Sequence, residues 1–140
     1  GFLAEDIKAG RVAVEDAVDR SVVTIRGDEL FASASASILD DYQPLMLRIA
    51  DAIRKVKGQV RVTGHSDNRP IATLRFPSNW ALSEARAKSV LEILAAKTGQ
   101  GDRFSAEGRS DTEPVATNAT AEGRARNRRV EITVLAEGVE

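Results

Sequence analysis

Two side chains of opposite charge lie at either end of a long polar loop in this sequence. Asp67 closely follows a predicted strand, and Arg86 lies 19 residues later, in the first turns of a predicted helix. A guanidinium holds a carboxylate through two parallel hydrogen bonds, and a carboxylate accepts hydrogen bonds from an ammonium. Two interpretations are open: the pair straddles a zwitterionic ligand, or it forms a salt bridge that pins the loop.

The helix that carries Arg86 offers further polar groups. Asn79 and Ser83 precede Arg86 by seven and three residues, so helical spacing places the three side chains on one stripe. The start of this helix near Asn79 also leaves backbone N–H groups unpaired, and such groups bind anions. These features support a carboxylate-binding site without excluding the salt bridge.

One sequence pattern, Gly-x-Ser-Asp-x-x-Pro, occurs twice, at residues 64–70 and 108–114. Each copy follows a predicted strand. Ser and Asp side chains bond to nearby backbone and Pro presets a turn, so turn formation explains the pattern by itself. We favour that explanation for the second copy. For the first copy, which contains Ser66 and Asp67, turn formation and ligand binding are equally supported.

Composition excludes several classes of function. The chain has 20 Lys and Arg against 21 Asp and Glu, a net charge of −1, which argues against a nucleic-acid partner. It has no cysteine and a single histidine, His65, for which a structural role is expected. No metal-ligand set, catalytic triad or phosphate-binding loop is recognisable. We therefore expect no metal, no cofactor and no catalytic residue: the chain is not predicted to be an enzyme.

Other residues near the loop have less specific signals. The basic run at residues 124–129 leads into a strand, so its arginines must divide between the two faces of the sheet. One or two of them are expected to face the groove beside Asp67. Phe76 and Trp80 flank the loop, and we expect both to fix it to the body of the protein rather than to stack on a ligand.

Periodicity predicts the elements that position these side chains. Strands are expected at residues 11–15, 21–26, 59–64, 103–107 and 128–135. Two long helices are expected, one from residue 40 or 41 to about Val56, ended by Gly58, and one from residue 78 or 79 to about 97. Shorter helices are expected at residues 2–9, where Ile7 belongs to the apolar face, and at residues 120–126.

This order predicts an α+β fold, a two-layer sandwich in which a mixed β-sheet carries two long helices on one face. The core order is β-α-β-α-β-β, with an additional N-terminal hairpin strand. We divide the chain into an N-terminal extension, residues 1–20, and one domain, residues 21–136. The absence of cysteine suits an oxidising compartment, and the start at Gly1 without Met indicates an excised fragment. No apolar run is long enough to cross a bilayer.

Three motifs in order resemble the OmpA-like C-terminal domain family over residues 22–135. They are Gly-His-Ser-Asp-Asn at 64–68, Asn-x-x-Leu-Ser-x-x-Arg-Ala-x-x-Val at 79–90, and, after Gly108, Asn-Arg-Arg-Val-Glu at 127–131. The resemblance implies non-covalent binding to the peptide stem of peptidoglycan, at its diaminopimelate residue. By position, the family's ligand-binding pair is matched by Asp67 and Arg86, and its supporting residues by Ser66, Asn79 and Arg128.

One departure concerns the residue after Phe31. Many members of the family carry an acid there, whereas this chain has Ala32. The missing acceptor is expected to weaken one side of the site.

The longer loop at residues 75–80 resembles both the MotB proteins of the flagellar motor and the TssL (ImpK/VasF-like) proteins of type VI secretion. Three other stretches, residues 3–5, 23–33 and 119–124, resemble the TssL proteins more. That resemblance implies a periplasmic domain of an inner-membrane protein that anchors a secretion complex to the cell wall. It also implies other subunits of the complex as partners, and it allows a homodimer of the chain. The alternatives are an assembly domain that binds peptidoglycan weakly or not at all, and a flagellar stator anchor.

Overall fold

A computed structural model describes residues 3–136. The elements follow the chain as α1 (Ala4–Lys8), β1 (Ala13–Asp16), β2 (Arg20–Arg26), α2 (Gly27–Leu30), α3 (Gln43–Arg54), β3 (Val60–His65), α4 (Asn79–Thr98), β4 (Phe104–Gly108), α5 (Ala121–Asn127) and β5 (Arg129–Leu135). Short 3-10 turns at Asp40–Tyr42 and Gly101–Arg103 precede α3 and β4.

The strands form one mixed sheet in the order β1-β2-β5-β3-β4. β1 and β2 make an antiparallel hairpin, β5 runs antiparallel to both β2 and β3, and β3 runs parallel to β4. The apolar stripes of α3 and α4 share one core with the inward residues of the sheet. The predicted α+β fold, with two long helices on one face of a mixed sheet, is therefore confirmed.

Local interactions set the ends of the two long helices. The Ser78 hydroxyl accepts a hydrogen bond from the Ala81 N–H and caps the start of α4, and Gly99 ends it in a left-handed conformation with φ of 69°. In α3, Leu45, Ile49 and Ile53 are buried in the core. The predicted extension of this stripe to Val56 is wrong, because α3 ends at Arg54 and Val56 is 49% exposed.

The N-terminal segment is tied to α3 through a buried carboxylate that the sequence patterns did not reveal. Asp6 is fully buried, and its oxygens accept hydrogen bonds from Arg48 Nε at 2.8 Å, Arg48 Nη2 at 2.7 Å and Arg11 Nε at 2.8 Å. Ile7, expected on the apolar face, is instead 46% exposed. Gly1 and Phe2 lie outside the described residues, and the division of the chain at residue 20 stays a prediction.

Replacing Asp6 with asparagine should lower the free energy of unfolding by about 1–2 kcal/mol, because two arginines lose the charge that they share. The arginine hydrogen bonds lower the pKa of Asp6, so this contribution is present above the ordinary carboxyl pKa and is lost as the pH falls below it. Urea unfolding at pH 7 and pH 3 measures both effects. The exposed neighbour Glu5, changed to glutamine, is the matched control; an equal loss in both variants would contradict the role of Asp6.

Candidate functional site

A cleft of about 640 Å³ opens where the loop after β3, the start of α4 and the segment after α2 meet. We call it the front cleft. Its lining contains all five predicted site residues: Ser66, Asp67, Asn79, Arg86 and Arg128. Asp28, Phe31, Ala32, Ser33, Ala34, Leu39, Arg69, Pro70, Ile71 and Leu82 complete it.

Two glycines bring the parallel strands against the first turns of α4. A Cβ on Gly64 would lie 2.0 Å from the Ser83 carbonyl oxygen, and one on Gly108 would lie 2.7 Å from Ser83 Oγ. Gly64 and Gly108 are partners in the β3–β4 register, and the Ser66 N–H donates to the Ser110 carbonyl at 2.8 Å. The repeated sequence pattern therefore marks two equivalent strand ends that meet one helix.

Arg86 is buried in the wall of the front cleft without a carboxylate partner. Its Nε donates to the Ser35 carbonyl at 2.8 Å and its Nη2 to the Ala32 carbonyl at 3.2 Å, and its guanidinium carbon lies 4.8 Å from the centroid of the Phe31 ring. Within the described chain no carboxylate oxygen lies within 4.0 Å of it, so the salt bridge with Asp67, one of the two interpretations of the sequence, does not form. Burial lowers the pKa of Arg86. Its remaining N–H groups are available for an anion.

Asp67 is instead held by Arg128, which bridges two carboxylates. Arg128 Nη1 donates to Asp67 Oδ2 at 2.6 Å, while its Nε and Nη2 donate to the two oxygens of Asp28 at 2.9 and 2.7 Å. The Arg69 backbone N–H donates to Asp67 Oδ1 at 3.0 Å. The bond to Asp28, followed by that to Asp67, raises the pKa of Arg128, and the bond to Arg128 lowers the pKa of Asp28.

Asp28 is the site residue that sequence reasoning missed. It lies in the short helix α2, which was not predicted because a four-residue helix leaves no periodic signal, and it is 100 residues from its partner Arg128. Its carboxylate lies on the wall of the front cleft that also contains Ala32. Asp28 thus adds a carboxylate to the cleft that Ala32 also lines, although both its oxygens accept from Arg128, and the expectation that Ala32 weakens one side of the site stays a prediction.

Ser66 and Asn79 shape the loop around Asp67. Ser66 Oγ donates to the Asp67 carbonyl at 2.9 Å, and Asn79 Nδ2 donates to the Arg69 carbonyl at 2.9 Å. Asn79 Oδ1 accepts no hydrogen bond from any residue between 3 and 136, so it can still accept one from a ligand. Both residues thus position the loop, and Asn79 also presents an acceptor to the cleft.

The two aromatic side chains that flank the loop differ in their exposure to solvent. Phe76 is 7% exposed and fixes the loop as predicted. Trp80 is 53% exposed, so the same prediction is wrong for it. The reason is its position: Trp80 lies in the first turn of α4, where Leu82, Ser83 and Arg86 occupy the buried side of the helix.

Beside the site, on the other face of the sheet, His65 has the structural role that was expected. His65 Nε2 lies 3.2 Å from Glu131 Oε1, and Arg129 Nε donates to Glu131 Oε2 at 2.9 Å. A carboxylate only accepts, so Nε2 carries the proton. These two bonds, that of His65 first, lower the pKa of Glu131 from its ordinary 4.5 to about 2 although burial opposes them.

Glu131 should therefore stabilise the protein above pH 4.5 and lose this effect as the pH falls toward 2, because its pKa is lower in the folded than in the unfolded chain. Changing Glu131 to glutamine should cost about 2 kcal/mol at pH 7, after allowance for its partial exposure. The variant should also flatten the acid limb of a plot of unfolding free energy against pH. Glu122→Gln, at an exposed position of α5, serves as control; identical pH profiles for all three proteins would contradict the assignment.

Across residues 3–136, no three His, Asp or Glu side chains group closely enough to bind a metal ion. None of the helices between those residues is both long and apolar enough to cross a membrane.

Comparison with known proteins places these features in a family. The model of the OmpA family matches residues 30–128. Motility protein B of Bacillus subtilis is 37% identical over 84% of this chain and 46% of its own length. The peptidoglycan-binding protein ArfA of Mycobacterium tuberculosis is 36% identical over 77% of this chain and 32% of its own. The chain thus spans half or less of these relatives.

A solved structure gives a nearer comparison. The cell wall anchor of the T6SS, the type VI secretion system, from Pseudomonas aeruginosa is 82% identical, has a TM-score of 0.94 and covers 97% of this chain and 95% of its own. The predicted resemblance to the type VI secretion proteins is confirmed. The three motifs, the mixed sheet with its two helices, and the family match over most of the chain agree: this chain belongs to the OmpA family.

Proposed function

We propose that the front cleft binds the diaminopimelate residue of the peptidoglycan stem peptide, without catalysis. The observation that carries this proposal is the buried guanidinium of Arg86. A buried charge that lacks an opposite charge is unfavourable, and proteins retain such groups where a ligand supplies the missing charge. Arg86 lies in a cleft that also presents the carboxylates of Asp67 and Asp28, so both signs of charge face one ligand.

The chemistry of diaminopimelate fits this arrangement. Its free end carries an ammonium and a carboxylate on one carbon atom. The carboxylate would bind the remaining N–H groups of Arg86 in bidentate fashion, and the ammonium would donate to Asp67 and to Asn79 Oδ1. Each oxygen of Asp67 accepts one hydrogen bond in the free protein and has a lone pair left for the ligand.

We also propose that this binding anchors a type VI secretion membrane complex to the cell wall, from a periplasmic position. The support is the 82% identity with the cell wall anchor of Pseudomonas aeruginosa and the description of ArfA as peptidoglycan-binding. The inner-membrane anchor, the contacts with other subunits and a homodimer belong to this proposal too. The flagellar alternative is less well supported, because the Bacillus motility protein B is 37% identical.

Sedimentation with purified sacculi tests the proposal directly. The protein should pellet with sacculi that contain diaminopimelate and should be released by a soluble stem tripeptide ending in diaminopimelate. The same tripeptide ending in lysine, whose side chain ends in an ammonium without the neighbouring carboxylate, should compete about tenfold less well. If the wild-type protein stays in the supernatant, wall binding is refuted and the assembly-domain alternative is favoured. If both peptides compete equally, wall binding stands but recognition of diaminopimelate is refuted.

A further inference from the structure

A second cleft, of about 560 Å³, lies on the face of the sheet opposite α3 and α4; we call it the rear cleft. In β2, Val23 and Ile25 point into the core, and the alternating residues Val22, Thr24 and Arg26 line the rear cleft. Its other lining residues include Arg11 and Glu15 in and just before β1, Arg129 and Glu131 in β5, and Val115 and Arg126 in the region of α5.

The rear cleft carries an excess of positive charge that the proposed function does not use. Four arginines and two glutamates line it, on a chain whose net charge is −1. Arg26 and Arg129 are direct partners in the β2–β5 register, and like charges placed opposite each other destabilise a sheet. Such a pair is tolerable where anions neutralise it.

Only Arg129 of that pair forms an ion pair within the described chain; Arg26 acts on Asp28 through a longer-range attraction that helps to lower the pKa of Asp28. Arg129 bonds to Glu131 at 2.9 Å and to the carbonyls of Asn127 and Glu113 at 3.2 and 2.9 Å. Arg26 has no hydrogen bond from its guanidinium and no carboxylate oxygen within 4.0 Å among residues 3–136. The same holds, over those residues, for Arg126 at the end of α5. Two unpaired guanidiniums therefore face one cleft.

We propose that the rear cleft binds an extended acidic segment of a partner protein. Carboxylates at alternate positions, and therefore on one face of the extended segment, would meet Arg26 and Arg126. Glu15 and Glu131, which also line the cleft, disfavour a continuous polyanion such as a nucleic acid.

The basic run at residues 124–129 contributes to both clefts. Arg128, the extended residue between α5 and β5, lines the front cleft, whereas Arg129 at the start of β5 and Arg126 of α5 line the rear cleft. One short segment thus serves two binding surfaces on opposite faces of the sheet. Binding at the rear cleft does not depend on whether the front cleft binds peptidoglycan.

Fluorescence anisotropy with a labelled hexapeptide of alternating Glu and Val tests this inference. Wild-type protein should bind the peptide in a salt-sensitive manner, and the same peptide with Gln in place of Glu should not bind. Arg26→Gln and Arg126→Gln should each weaken binding about fivefold, and the double variant more than tenfold. Arg61→Gln is the matched control, because Arg61 lies on the same sheet face outside the cleft, with no carboxylate of residues 3–136 within 4.0 Å.

Measurements of unfolding, sacculus binding and peptide binding distinguish this inference from the proposed function. The double variant should unfold at or above the wild-type temperature, because Arg26→Gln removes one of two facing like charges. It should pellet with sacculi as the wild type does, whereas Arg86→Met should bind the acidic peptide normally. The inference is overturned if the wild type does not bind the peptide, or if it binds a single-stranded oligonucleotide more tightly. It is also overturned if Arg86→Met loses peptide binding, or if Arg61→Gln loses as much as the rear-cleft variants.

Discussion

Replacing Arg86 with methionine should weaken binding of the diaminopimelate stem peptide at least about 100-fold and leave the fold as stable as before. Methionine fills a similar volume but removes the only buried cation that faces the front cleft without a carboxylate partner in residues 3–136. Two charge-assisted hydrogen bonds to the ligand are lost, a cost of roughly 3 kcal/mol. Calorimetric titration with the soluble tripeptide measures the binding.

Stability should respond differently, because the wild-type protein already bears the desolvation cost of this guanidinium. Burial lowers the pKa of Arg86, which is the sign of that cost. The carbonyls of Ser35 and Ala32 lose their bonds to Arg86, but both residues are partly exposed and can bond to water instead. We expect the free energy of unfolding to stay within about 1 kcal/mol of the wild-type value.

Two further variants isolate the effect. Arg86→Lys keeps the charge but loses the planar fork, so binding should fall about tenfold. Lys88→Met removes an exposed cation from the same helix, paired with Glu84 at 3.1 Å, and should change nothing. If Arg86→Met loses more than about 2 kcal/mol of stability and still binds the tripeptide, Arg86 is a structural residue and the proposed site is wrong.

Changing Gly64 to alanine should destabilise the protein by about 3 kcal/mol or more. The new Cβ would lie 2.0 Å from the Ser83 carbonyl oxygen and 2.9 Å from its carbonyl carbon, and both belong to the backbone of α4. A backbone atom in a helix cannot turn aside as a side chain can, so β3 and α4 must separate. Thermal unfolding should show a midpoint about 10 °C lower.

The same substitution should also impair the front cleft, since its two sides belong to the elements that separate. Asp67 follows β3 and Arg86 lies on α4, so a shift between them changes the spacing that the ligand requires. Gly101→Ala is the matched control, because its Cβ would meet only the Ala95 side chain at 3.8 Å, an ordinary contact. A Gly64→Ala protein with wild-type stability would show that the contact between β3 and α4 is not close-packed.

The sequence by itself determined the elements and most of the site. Apolar stripes, strand alternation and caps such as Ser78 and Gly99 are local signals, and they located the long helices and strands to within a few residues. The family's motifs identified five residues, and the structure brings all five to one cleft. What these residues bind stays a proposal.

Only the tertiary structure decided how the charges pair. Asp67 and Arg86 are the obvious pair in the sequence, yet Asp67 bonds to Arg128, which follows it by 61 residues, and Arg128 also holds Asp28. The order β2-β5-β3 sets this arrangement, because it places the start of β5 between the ends of β2 and β3. Local spacing carries no information about which distant strands become neighbours. It therefore could not show that Arg86 is left without a carboxylate partner within residues 3–136, which is the feature that makes the front cleft a candidate binding site.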